Sequence, residues 1–140
     1  MKFSKKEFRI RAAIYFIIIC WGVWFYHQYF APINFKFPVY GYASWYSKTD
    51  AGIKKTTANN EMFDDQVMTC AIWGVPFGTM LKVTDQSSGK YVIVRVNDRG
   101  PHRRYVRQGR VIDLTKAAFK SISATKSGLI PVRVEKVSNE

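Results

Sequence analysis

The sequence predicts a mainly β domain of short strands closed into a barrel, with one or two short helices, behind an N-terminal transmembrane helix. Three observations carry this. First, Ala12 to Phe30 holds no Asp, Glu, Lys or Arg, and Ile14 to Tyr26 is almost wholly apolar. Second, the rest of the chain alternates short apolar, β-branched runs with Gly, Pro, Ser and Asn turn signals, the pattern of a small all-β domain. Third, only one stretch, after Thr115, carries helical spacing. At 140 residues there is room for one core and one domain.

The N-terminal part divides at its charges. Residues 1–11 form a basic head, with Lys2, Lys5, Lys6, Arg9 and Arg11 against a single Glu7. Residues 12–30 at a helical rise of ~1.5 Å extend roughly 28 Å, close to the thickness of bilayer hydrocarbon. Trp21, Trp24, Tyr26 and Tyr29 crowd its far end, as interfacial aromatics do, and the positive head keeps the N-terminus in the cytoplasm. The expectation is an inner-membrane anchor with the domain in the periplasm. The bulky His27-Gln28-Tyr29-Phe30 offers no small-x-small cleavage site, which favours an uncleaved segment over a signal peptide. Secretion after cleavage and lipidation at Cys20 are the alternatives. Ile18-Ile19 before Cys20 lacks the small residue that the lipidation reading needs.

Residues 31–38, punctuated by Pro32 and Pro38, read as a linker, and 39–137 as the barrel domain. Tyr40 to Tyr46 alternates aromatic with small residues, as a strand does. Ser47 to Asn60 is polar and reads as a long loop. Phe77-Gly78-Thr79 leads into a strand over Met80 to Thr84. Ser87-Ser88-Gly89 is a hairpin turn, and Lys90 to Val96 is its return strand. Residues 102–110 read as a basic loop and Val111 to Leu114 as a short strand. Thr115 is positioned to N-cap a helix bearing Ala117, Ala118, Phe119 and Ile122. Gly128 closes that region, and Pro131 to Val137 alternates as a final strand.

The formal charge is +12, and about two-thirds of that excess lies beyond the apolar segment. An anionic partner fits such a surface: a cell-wall polymer, a lipid surface or nucleic acid. Export makes nucleic acid the weakest of the three, and no basic helix, zinc spacing or aromatic RNA motif supports it. Cys20 and Cys70 lie in different compartments of the reading, so no disulfide is expected, and Cys70 reads as a small buried hydrophobe. His27 and His102 are the only histidines, so no metal centre is predicted. Gly-x-Ser-x-Gly, phosphate-cradling and dinucleotide fingerprints are also missing.

The residues able to carry chemistry centre on Arg95-Val96-Asn97-Asp98-Arg99-Gly100-Pro101. A strand that ends on Asp98 and turns at once sets a carboxylate on a barrel rim, as an acid or base or as a cap for the turn. Arg95 and Arg99 favour its ionised form if they are close, and they are candidates for holding a ligand. Glu61 is a possible second carboxylate, aimed inward by a turn at Asn59-Asn60, where Asn tolerates positive φ. Two carboxylates across a cleft can cut a glycosidic bond. Trp45, Tyr46, Phe63 and Trp73 are candidates for stacking on sugars, with core packing as the alternative for at least half of them. Asp113 is a substrate-binding candidate, or a partner for Arg110 or Arg99.

Five blocks then occur in a characteristic order: Tyr42-Ala43-Ser44-Trp45-Tyr46, Thr57 to Asp64, Val75 to Thr79, Val94 to Pro101 and Ile112 to Thr115. Together they resemble the rare lipoprotein A-like domain, the catalytic part of septal-ring endolytic peptidoglycan transglycosylases. The resemblance implies a six-stranded double-psi β-barrel similar to expansins. It implies cleavage of peptidoglycan glycan strands, preferably without stem peptides, to 1,6-anhydromuramic ends. One carboxyl can serve both proton transfers, so no metal or cofactor is implied. The family's functional carboxylates fall on Asp98 and Glu61. The chain departs from the pattern where Ile72 stands for a His, where Asn60 stands for a Gly, and in an insertion over Arg103 to Gly109 that lengthens the loop after Gly100-Pro101 and adds basic charge. No peptidoglycan-binding repeat follows the barrel, so septal targeting is not implied. The alternative function is a non-catalytic, expansin-like glycan-binding module, with a recruiting interaction domain as a weaker third.

Overall fold

The structure is a computed structural model that describes residues 4–137. It divides into two compact units, residues 1–32 and 33–140. In the first, α1 (Lys5–Tyr29) begins at a capping box: Ser4 Oγ accepts from Glu7 N, and Glu7 returns the bond to Ser4 N. This joins two orphan donors at the helix start. The helix therefore takes in most of the basic head as well as the apolar stretch. It buries none of its residues and is long and apolar enough to cross a membrane.

The second unit is a closed barrel in the order β1-β5-β2-β4-β3-β6. Its strands are β1 (Val39–Tyr46), β2 (Thr69–Ala71), β3 (Met80–Asp85), β4 (Tyr91–Asp98), β5 (Arg110–Thr115) and β6 (Leu129–Lys136). Two of its pairings are parallel, β1 with β5 and β2 with β4, and the rest are antiparallel. Strand periodicity fills the interior: Leu81 and Val83, Val92, Val94 and Val96, and Val132 and Val134 all point inward and are buried. A small helix, α3 (Lys116–Ile122), adds Ala118, Phe119 and Ile122 to the same core. Burying a side chain such as Phe119 contributes about 1.5–3 kcal/mol. The order closes on itself because β6 pairs with β1 over Val39 to Ser44.

Three local features differ from the sequence reading. β2, three residues long, was not foreseen, because two-residue alternation cannot show in so short a strand. The stretch read as a basic loop contains a helical turn, α2 (Arg103–Val106), whose first turn is capped when Arg104 N donates to His102 Nδ1. Thr115 sits at the N-cap position of α3 but makes no side-chain cap. Its hydroxyl instead donates to Val67 O at 2.6 Å, tying the long loop to the barrel.

Residues 33–38 pack onto the barrel. Phe35 and Phe37 lie against its core, and Lys136 Nζ sits 5.1 Å above the Phe37 ring. Gly74, at φ +68°, makes room for this segment: a Cβ there would meet Ile33 O at 2.1 Å.

Candidate functional site

Asp98 is the last residue of β4, beside a break in the β2–β4 register. Cys70 pairs with Val96, but the next residue, Ala71, pairs with Asp98. Such a bulge re-aims the side chains that follow it. On the other edge of β2, Ala71 pairs with Asp113 of β5. The two aspartates therefore flank one alanine across three adjacent strands, their Cα atoms about 10 Å apart at the usual strand spacing. Residues directly opposite in a ladder face the same way, and Ala71, Asp98 and Asp113 line one hollow of about 560 Å³. Gly100 deepens it: a Cβ there would lie 3.1 Å from Ala71 Cβ and 3.4 Å from Asp113 Oδ2.

The two carboxylates are held alike. Asp98 Oδ1 accepts from Ala58 N at 2.9 Å and from Arg99 N at 2.8 Å. Asp113 Oδ1 accepts from Ser44 Oγ at 2.9 Å and from Arg110 Nε at 2.6 Å. In each case Oδ2 takes no hydrogen bond among the described residues. Asp113 is largely enclosed, its side chain 13% exposed. Burial pushes its carboxyl above the ordinary aspartate value, against the pull of Arg110 and Ser44, and the charge of Asp98 adds to the rise.

Glu61 is in a different situation. The Asn59-Asn60 turn forms, with Asn60 at φ 69°. It delivers Glu61 to Arg95, which donates to both carboxylate oxygens at 2.7 and 2.8 Å. Asn97 and Asn59 add bonds at 3.1 and 2.8 Å. These bonds lower the Glu61 pKa to about 2. The guanidinium of Arg95 is thus spent on Glu61 and not on Asp98. Arg95 and Asn97 precede Asp98 at alternate positions of β4, so Glu61 is fastened beside the strand, and neither it nor Arg95 lines the hollow.

Arg99 lies with its guanidinium carbon 3.7 Å from the centre of the Phe77 ring and donates to Ile72 O at 3.2 Å. Burial lowers its pKa. It lines both the 560 Å³ hollow and an adjoining one of about 500 Å³ bounded by Thr57, Ala58, Asn60 and Phe63. Asp98 is common to both, so it stands at their junction.

Of the aromatic candidates, Tyr46 and Phe63 stack on each other, 4.8 Å apart and within 9° of parallel. Both are buried, and each spends one face on the other while lining the 500 Å³ hollow. The Tyr46 hydroxyl is buried without a partner, and its pKa is raised by burial first, then by Asp98, Cys70 and Asp113. Trp45 packs on the core, donates Nε1–H to Thr125 O and lines the larger hollow. Trp73 donates to Pro101 O at 2.6 Å and carries Arg103 over its ring at 5.3 Å. Ile72, where the resemblance places a His, is fully buried in the core. It touches the site only through its backbone: its N–H donates to Asp98 O and its carbonyl accepts from Arg99. Cys70 is buried, and burial raises its thiol pKa.

Sequence reasoning missed the Ala58 N–H that holds Asp98, the floor made by Ala71, and His102 and Tyr105 as a wall of the hollow. Ala58 carries no chemical signature, and Ala71 lies in the unforeseen strand. His102 and Tyr105 sit in the basic stretch whose helical turn was unread. Among the described residues, no three His, Cys, Asp or Glu side chains gather as a metal centre would require.

Residues 39–134 match the family model described as lytic transglycolase. The chain belongs to that family. Its barrel is the double-psi barrel of the group. The chain is 43% identical over 95 residues to the probable endolytic peptidoglycan transglycosylase RlpA of Nostoc, a match covering 68% of this chain and 24% of that protein. It is 41% identical over 98 residues to the endolytic peptidoglycan transglycosylase RlpA of Vibrio cholerae, covering 70% of this chain and 35% of the relative. The matched region thus spans only about a quarter to a third of these relatives. In solved structures the fold is similar to an expansin of Clavibacter michiganensis, with TM-score 0.51 and 23% identity over 73% of this chain and 51% of that one. It is also similar to the Streptomyces papain inhibitor, with TM-score 0.52 and 22% identity over 70% of this chain and 92% of the inhibitor.

Proposed function

We propose that this chain is a lytic transglycosylase that cuts peptidoglycan glycan strands to 1,6-anhydromuramic ends. The observation that carries the reading is the pair Asp98 and Asp113, facing one hollow across Ala71, each with one oxygen fastened and the other without a hydrogen bond among the described residues. A sugar lying between them meets an enclosed carboxyl whose pKa burial raises and a second carboxyl held by backbone N–H groups. Asp113 gives its proton to the glycosidic oxygen as the C1–O bond breaks. Asp98 takes the proton of the sugar's own 6-hydroxyl as that oxygen bonds C1. No water is consumed, and the proton left on Asp98 returns to Asp113 through solvent. Glu61, fixed as an anion by Arg95, positions the Thr57 to Glu61 loop whose Ala58 N–H holds Asp98. Arg99, Trp45, Tyr46 and Phe63 contact the glycan. The RlpA relatives, named for this activity, support the reaction class.

The test is digestion of purified, peptide-free glycan with mass spectrometry of the products. Anhydro ends are expected, and their absence beside an active control enzyme overturns the reading. A second reading, a non-catalytic glycan-binding module, is favoured by one observation, Ile72 in the place of a His. Under it, wild type and Asp98→Asn both retain glycan in pull-down and neither yields products.

The domain acts outside the cytoplasm, held by α1 in the inner membrane and facing the periplasm. The uncharged stretch of α1 and its basic start support this. N-terminal sequencing of protein recovered from membranes tests it: an intact residue 5 is expected, and a start beyond residue 30 overturns the anchor.

A further inference from the structure

The chain between α1 and the barrel is nearly absent. Phe30 caps α1, and Ala31 N still donates to Tyr26 O at 3.1 Å. Two residues later Ile33 O is already seated against Gly74, a position where any side chain would collide with it. Phe35 and Phe37 continue the seating on the core. From Ala31 to Ile33 the covalent path is at most about 7 Å. The apolar stretch 12–30 has no length to spare either, since its roughly 28 Å is all needed to cross about 30 Å of hydrocarbon. A barrel of this size has a diameter of about 34 Å, from a radius of gyration near 13 Å.

From these lengths we infer that the substrate is glycan at the membrane face: strands still attached to the lipid carrier on which they are polymerised. Built wall beyond about 40 Å of the surface is out of reach. This rests on the anchored transglycosylase reading above. The reaction that supplies the substrate is then polymerisation of lipid-linked glycan in the same membrane, and the cut releases or trims strands before they are built in. The seating against Gly74 is what distinguishes this arrangement from a barrel on a free tether, because it removes six residues that would otherwise lengthen the reach.

The test uses the full chain in lipid vesicles, with lipid-linked glycan polymer in the same vesicles or intact sacculi outside them. A second protein carries 40 Gly/Ser residues between Pro32 and Ile33, adding roughly 35 Å of mean reach. The native chain is expected to cleave the lipid-linked polymer and to release products from sacculi about tenfold more slowly than the extended chain, or less. In detergent both proteins digest sacculi alike. Equal digestion of sacculi by the two vesicle-bound proteins overturns the inference. If no anhydro ends form even in detergent, the transglycosylase reading fails instead. Reach is then decided by co-sedimentation of vesicles with sacculi, and capture by the native chain as strong as by the extended one overturns it.

Discussion

Two acidic centres lie at the end of β4, and they are built on opposite terms. Beside the strand, Glu61 gives both oxygens to Arg95 and takes further bonds from two asparagines. At its end, Asp98 commits one oxygen to backbone N–H groups, and Asp113, two strands away, commits one to the side chains of Ser44 and Arg110; among the described residues the second oxygen of each stays open. A carboxylate with all its lone pairs engaged is a structural brace. It holds its charge down to low pH, and protonating it means breaking a bidentate pair. A carboxylate with one free oxygen, set in a hollow, is equipped to move a proton. Within four residues β4 thus supplies both Arg95, which holds Glu61 of the loop beside it, and Asp98 with its open oxygen.

The sharpest break of this comparison is to neutralise the open carboxyls. Asp98→Asn and Asp113→Asn are expected to lower turnover by about 10²–10⁴-fold, with unchanged circular dichroism. Retained activity in either removes that residue from the proton path.

Next comes Ile72→His. In a site where a histidine lined the groove, restoring it would raise activity. Here the position lies in the core, so the imidazole is buried without a partner and should cost about 2–3 kcal/mol in denaturant unfolding, with no gain in turnover. A gain would show that the core opens toward the groove.

Glu61→Gln tests the brace. It should weaken folding and disturb the Thr57 to Glu61 loop while leaving measurable turnover, a smaller kinetic effect than at Asp98. The pH dependence has a definite sign. The folded pKa of Glu61, about 2, is below its ordinary value of 4.5, so its contribution to stability is present above that value and is lost as pH falls toward 2. Acid titration of unfolding stability should show a smaller loss in Glu61→Gln than in the wild type, the remainder coming from Asp64 and Asp65, whose pKa values are lowered as well.

The smallest effect belongs to Tyr46→Phe. Its hydroxyl is buried without a partner, so its removal should leave stability unchanged or raise it by up to about 1 kcal/mol. A clear loss would mean that the hydroxyl is bonded through water to the open carboxyls.

Much of this contrast was legible in sequence and part of it was not. The strands around the hairpin, the final strand and α3 follow from local patterns because each is long enough to show its period. Asp98 stood out because a β-branched run ended on it before Gly-Pro. The turn at Asn60 was readable because few residues accept a positive φ. The pairing of Asp98 with Asp113 was hidden, because it depends on β2, whose three residues carry no periodicity and whose two ladder partners are 15 positions apart in sequence. The assignment of Arg95 to Glu61 was equally hidden: the sequence places that arginine three residues from Asp98 and 34 from Glu61, and only the fold reverses the order.

Ala71 and Gly100 supply almost nothing to the groove except the lack of side chains. The hollow is a volume kept vacant by the two smallest residues, walled by charge but floored by a single methyl group. Its weak point is therefore one of bulk. Ala71→Leu would place a branched side chain between the two aspartates without altering a charge or an ion pair. It is expected to abolish turnover in the glycan digest while Glu61 and Arg95 stay paired, giving a variant blocked by shape alone.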